Sequence, residues 1–194
     1  MKQFMISLSL IATMLVTASC HANKTNTETE ANEPIMTDSI INDAAWEQAD
    51  RVDYSFYDSS VAPEYHRSYT LTLTKEKATI SVDSYGDVLL EAEYVITEEQ
   101  FQQAIDGLRK LNIRSHKKNE DAIPCDGGTS ESFELTADGK ALFSGYQDNC
   151  GEELSTMIVG SEAIAQALNV AYPKPVRELV DSTIEEVIID EEEE

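Results

Sequence analysis

Apolar residues change their spacing several times along the chain, and each change marks an element. Asp43 to Asp50 reads as a short helix centred on Trp46. From Val52 the period shortens to two: Val52, Tyr54 and Phe56 alternate with polar neighbours, and Ser59 to Pro63 closes that run as a loop. Tyr69, Leu71 and Leu73 then alternate with Thr70, Thr72 and Thr74, the pattern of a half-buried strand. Lys75-Glu76-Lys77 is a polar turn and Thr79 to Asp83 the returning strand. After Gly86-Asp87 the alternation resumes at Val88, Leu90, Ala92, Tyr94 and Ile96. These three strands predict an antiparallel meander with one apolar face and one face rich in Thr, Ser and Glu.

At Thr97 the period lengthens. Thr97-Glu98-Glu99-Gln100 fits a capping box, and Phe101, Ile105, Leu108 and Leu111 follow at helical spacing. The helix should end near Asn112 and lay its apolar stripe on the meander. Ser115 to Asp126 is polar, contains Pro124 and reads as a loop. Ser132 to Thr136 and Ala141 to Tyr146 flank Asp138-Gly139, a strong hairpin signal. Ser161 to Leu168 is a further helix with Ile164 and Leu168 inward, stopped by Pro173 and Pro175. Val176, Leu179, Val180, Ile184 and Val187 predict a last amphipathic helix that frays into the acidic run Asp190 to Glu194. The expected fold is α+β: a three-strand meander plus a hairpin, packed with two to three helices. Residues 44–172 form the single domain, and 173–194 form a C-terminal helix and acidic tail.

The N-terminus follows a different logic. Lys2 precedes an apolar run from Phe4 to Val16, then Thr17-Ala18-Ser19-Cys20. A short positive start, an apolar stretch and small residues before a cut site predict a secretory signal over residues 1–19. The run is shorter than the roughly 20 residues that span a bilayer. Cys20 directly after Ala18-Ser19 resembles the lipobox of bacterial lipoproteins, with Thr17 where leucine is usual. That resemblance implies a thioether-linked diacylglycerol on Cys20 and a lipid-anchored protein of the cell envelope, in the outer membrane and facing the periplasm or the surface. An ordinary signal with an incidental cysteine is the alternative. Residues 20–43, rich in Asn, Thr, Glu and Ala, predict a flexible tether, because such a stretch buries too little surface to offset its ordering entropy. Its composition resembles the tethers of Bacteroidota lipoproteins.

With Cys20 lipidated, Cys125 and Cys150 remain. An even pair in an oxidising compartment predicts a disulfide; a metal pair or a nucleophile is the alternative. Both lie just outside the open end of the Asp138-Gly139 hairpin, so chain direction brings them close. Stapling such a loop stabilises by about 3 kcal/mol.

Formal net charge is −23 over 194 residues, and loss of Lys2 with the signal makes the remainder one unit more negative. Such a chain is not expected to bind nucleic acid or anionic headgroups. A cationic protein is the partner its field would attract, and solubility alone is the plainer reading of the charge. No GxSxG elbow, HExxH pair or Gly-rich phosphate loop occurs, so no cofactor or catalytic residue is assigned. His66 beside Arg67 and His116 beside Lys117 are expected on the surface. Asp83, Asp87, Asp126 and Asp148 fall at turns without matching a calcium loop, so a divalent cation is not expected. Tyr54, Tyr57, Tyr65, Tyr69, Tyr85 and Tyr146 read either as a binding surface or as core-edge packing.

The expected function is a lipid-anchored, non-catalytic binding or interaction domain. One alternative is an acidic inhibitor of a cationic envelope hydrolase. Inhibitors of lysozyme of that kind carry an SGxxY motif, and Ser144-Gly145-Tyr146 lacks its two spacer residues. The other is a hydrolase whose residues meet only in three dimensions.

Overall fold

The computed structural model describes residues 39–123 and 126–192, with the side chains of the last helix as far as Ile184. The expected signal, Cys20, the tether up to residue 38 and Cys125 lie outside the described residues. Everything described falls within one unit, Ile35–Glu194.

The elements are α1 (Asp43–Gln48), β1 (Arg51–Tyr57), β2 (Ser68–Thr74), β3 (Lys77–Ser84), β4 (Asp87–Val95), α2 (Glu98–Lys110), β5 (Arg114–Ser115), β6 (Ser130–Ala137), β7 (Lys140–Asp148), β8 (Met157–Ile158), α3 (Ala163–Leu168) and α4 (Val176–Glu192). The class is α+β. The meander β2–β3–β4 and the hairpin β6–β7 are joined by β1 into one six-stranded sheet of order β4-β3-β2-β1-β6-β7. Every pairing in it is antiparallel, with Tyr54 of β1 facing Leu71 on one side and Phe133 on the other. A second, two-stranded sheet pairs Arg114 with Ile158 and Ser115 with Met157, Ser115 being the first residue of the stretch expected to be a loop.

Local chemistry explains the elements. Thr97 caps α2 with both arms of the capping box in place, and Phe101, Ile105 and Leu108 are buried. Each such side chain contributes about 1.5–3 kcal/mol by leaving water. The β6–β7 turn uses two residues with positive φ, Asp138 at 49° and Gly139 at 70°. Both central residues of a type I′ hairpin need that conformation. The core lies between one sheet face and the helices, with Val52, Leu71, Leu73, Ile80, Phe133 and Leu135 from the sheet against Phe101, Leu108, Ile164 and Leu168. Among the described residues no helix is long and apolar enough to cross a membrane.

Three expectations change here. Residues 39–43 are not tether: Ser115 N–H donates to Ser39 O, Ile41 is buried, and Asn42 caps α1 through its side chain. Two adjacent isoleucines show no period, so this anchoring segment is silent in the sequence pattern. The core also reaches past Tyr172, because Val176 and Val180 of α4 belong to it. Val88 does not continue the inward row of β4. The register slips between Val82 and Asp83, so Leu90 faces Val82 while Val88 faces Asp83. The extra residue turns Val88 to solvent, 62% exposed.

Candidate functional site

The connection from β1 to β2 is tied down by its own polar groups. Asp58 accepts the Arg67 backbone N–H at 2.9 Å and the Ser59 N–H at 2.7 Å, and Asp58 N–H donates to Ser68 Oγ at 3.1 Å. Tyr85, in the β3–β4 turn, reaches over to donate its hydroxyl to Val61 O at 2.6 Å. These bonds bring His66, expected outside, to the interior together with Arg67: His66 is 5% and Arg67 4% exposed.

Arg67 fastens this loop to α4. Its Nε donates to Thr183 Oγ1 at 2.7 Å and Nη2 to Thr183 O at 3.2 Å, while Nη1 donates to His66 O and Pro63 O. Burial holds the guanidinium below its ordinary pKa, and the charge of Asp58 partly offsets that. The hydrogen bonds, four to oxygens of the fold, make a buried cation tolerable, which lone sequence context beside a histidine does not reveal.

His66 stacks against Tyr85 with ring centroids 3.9 Å apart. Its Nδ1 accepts the Tyr85 backbone N–H at 3.3 Å, and its Nε2 lies 3.4 Å from Ser68 Oγ. A neutral imidazole that accepts at Nδ1 carries its proton on Nε2, so Nε2 donates toward the serine. The pair thus has the wrong polarity to activate a nucleophile, which needs a lone pair facing the hydroxyl. His116 is half-buried, and its backbone N–H donates to Thr156 O at 2.8 Å.

Against this loop lies a cleft of about 180 Å³ between the β1–β2 end and α4. Phe56 and Tyr69, stacked at 5.2 Å, give it an aromatic wall with Tyr65, and Val180 and Ile184 close the helix side. Asp58, Glu162 and Asp181 supply three carboxyls, and Arg67 and Arg177 two guanidiniums. Arg67 is committed elsewhere. Arg177 approaches Glu162 at 3.8 Å and Asp181 at 3.7 Å with its side chain 78% exposed. Pairs this loose and wet contribute between nothing and about 1 kcal/mol. The cleft is therefore aromatic and acidic by one net charge, with Arg67 a fixed cation in its wall and Arg177 a movable one at its rim.

What sets its acidic rim is buried beneath it. Glu131 is 0% exposed. Its Oε2 accepts from the Tyr54 hydroxyl at 3.0 Å; its Oε1 accepts from Glu162 N–H at 3.1 Å, Ser161 Oγ at 3.3 Å and Asn149 Nδ2 at 3.3 Å. Glu162 has φ +55°, a conformation uncommon for a side-chain-bearing residue. The bond from Glu131 fixes that backbone and so aims the Glu162 carboxyl at the cleft. Burial raises the pKa of the Tyr54 hydroxyl far above its ordinary value, and that of Tyr69 likewise. Both phenols stay protonated at any physiological pH, and Tyr54 keeps its proton for Glu131. A signal for Glu131 was present in the sequence, since it shares the phase of inward-facing Phe133 and Leu135.

The six tyrosines do not form one surface. Tyr54 and Tyr69 are buried, whereas Tyr57, Tyr65, Tyr85 and Tyr146 are exposed. Tyr65 and Tyr69 are the two that meet at the cleft. Asp83 Oδ1 accepts Gly86 N–H and Asp148 Oδ1 accepts Cys150 N–H, as turn carboxyls do. Among the described residues no group of three or more His, Cys, Asp or Glu side chains stands close enough to hold a metal ion. Gly145, in Ser144-Gly145-Tyr146, is a packing glycine: a Cβ there would lie 2.5 Å from Met157 Cβ. No protein-family model, no curated protein and no solved structure matches the chain.

Proposed function

We propose that the chain is a lipid-anchored binding protein of the cell envelope whose cleft takes a cationic side chain from a partner protein. The observation that carries the binding reading is the cleft's make-up, three carboxyls beside an aromatic wall. A guanidinium or ammonium gains there from Coulomb attraction and from the ring faces together. A volume of about 180 Å³ suits one long side chain rather than a drug-sized ligand. The overall charge of −23 would steer a basic protein toward it. A cationic envelope hydrolase is one partner of this kind, so inhibition of such an enzyme is contained in the reading.

The anchor rests on the Thr17-Ala18-Ser19-Cys20 signal, with lipid on Cys20 and the segment after it as tether. A Cys125–Cys150 disulfide would staple the β6–β7 hairpin. Supporting it, Cys150 lies two residues beyond Asp148, which pairs with Ser130 at the open end of the hairpin.

The cleft is tested with acetyl-arginine amide as probe, followed by NMR of the tyrosine rings. Saturable shifts at Tyr65 and Tyr69 are expected. Glu162→Gln with Asp181→Asn should remove them, and Arg177→Ala should strengthen binding by freeing the carboxyls. Shifts spread over the surface and indifferent to these changes would refute the site.

A further inference from the structure

The sheet ends at β4, and that end is open. β4 pairs only with β3, and no other backbone hydrogen bond reaches Asp87–Val95 among the described residues. Alternate N–H and C=O groups along this strand therefore face outward, a ready template for one more strand. Natural edges are usually closed to such pairing by lysine, proline or brevity. β4 runs for nine residues and contains neither lysine nor proline, and beyond its bulge at Leu89 the edge is regular from Leu90 to Val95.

Its two faces are chemically distinct. Leu90, Ala92 and Tyr94 stand opposite Val82, Ile80 and Ala78 on the helix-covered face, and remain half-buried because no neighbour covers their outer flank. Glu91 and Glu93 stand opposite Ser81 and Thr79 on the other face. Glu93 pairs with Lys77 at 2.8 Å, whereas Glu91 and Asp87 have no ion pair among the described residues. Val95, at the strand's end, is 90% exposed.

From this we infer that β4 is a strand-addition site for an extended basic segment of a partner protein, with apolar and cationic side chains in alternation. The apolar row would extend over Leu90, Ala92 and Tyr94, and the cations would face Glu91 and its acidic neighbours. The same acids argue against a second copy of this chain as occupant. Two β4 edges laid together would bring like charges side by side, which destabilises cross-strand pairs. This inference stands on the sheet edge alone and does not depend on the cleft.

The test is hydrogen–deuterium exchange on the full chain with two nine-residue peptides, one alternating valine and lysine, the other valine and glutamate. The lysine peptide should slow exchange within 87–95, at a concentration at least tenfold below that at which the glutamate peptide acts. Glu91→Lys with Glu93→Lys, both on the solvent face, should invert that preference while leaving the unliganded exchange pattern of the core unchanged. No protection by the lysine peptide, equal protection by both peptides, or a dimer by sedimentation with β4 protected in it would each overturn the assignment.

Discussion

Replacing Tyr54 with phenylalanine removes one oxygen atom from the centre of the sheet and leaves the ring packed where it was. The consequence follows from the hydrogen bonds around Glu131. Oε1 keeps three donors, but Oε2 loses the Tyr54 hydroxyl, its only donor among the described residues, in a site with no exposure. A buried acceptor left unsatisfied costs about 1–3 kcal/mol, and there is no cavity to add to it. A loss of about 2 kcal/mol is expected, or roughly 4–8 °C in Tm for a domain of this size. Urea unfolding followed by Trp46 fluorescence reports it directly, because Trp46 is the sole tryptophan and is buried against Phe133. Tyr172→Phe is the matched control. Its hydroxyl donates to a neutral backbone carbonyl, Thr79 O, at 2.9 Å, so about 1 kcal/mol is expected. If Tyr54→Phe costs no more than Tyr172→Phe, the assigned role of Glu131 as a satisfied buried acceptor is wrong.

Burial raises the pKa of the Tyr54, Tyr69 and Tyr172 hydroxyls above their ordinary value near 10. Their contribution to stability is full below pH 10 and falls as the pH rises past it, since the unfolded chain then loses protons that the folded chain keeps. Phenolate absorbance at 295 nm from these three should appear together with the loss of Trp46 burial; earlier appearance would contradict their placement. Nitrogen-15 NMR of His66 should find the proton on Nε2 and none on Nδ1; the opposite tautomer would reopen the Ser68 pair as a candidate nucleophile. Gly145→Ala should cost about 1–3 kcal/mol by driving a methyl group into Met157, and an unchanged urea midpoint would show that the two strands do not pack this closely.

Sequence patterns revealed the parts of this fold that depend on near neighbours. The Thr97 capping box, the α2 stripe and the Asp138-Gly139 hairpin are each written within a dozen residues, and each stands in the structure. The joining of meander and hairpin through β1 was not legible, because an isolated alternating run does not say which strands flank it. The burial of His66 and Arg67 was hidden for a related reason: it depends on Thr183 and Tyr85, distant in sequence, and loops carry no period. The cleft combines three such separated stretches, around residues 56–69, 162 and 177–184. Glu131 was the exception, a charged residue in phase with an inward row, legible once phase is weighed above residue type.

A domain of this kind acts as proposed only if it is held at a membrane, so the most direct test is the chemistry of Cys20. Mass spectrometry of the N-terminal peptide of the mature protein, taken from the membrane fraction of cells that make it, should find a chain starting at Cys20 with a diacylglycerol thioether on its sulfur. Cys20→Ala should move the protein to the soluble fraction. A mature chain that starts elsewhere or carries an unmodified Cys20, or a Cys20→Ala protein still in the membrane pellet, would contradict the anchor and the envelope role built on it.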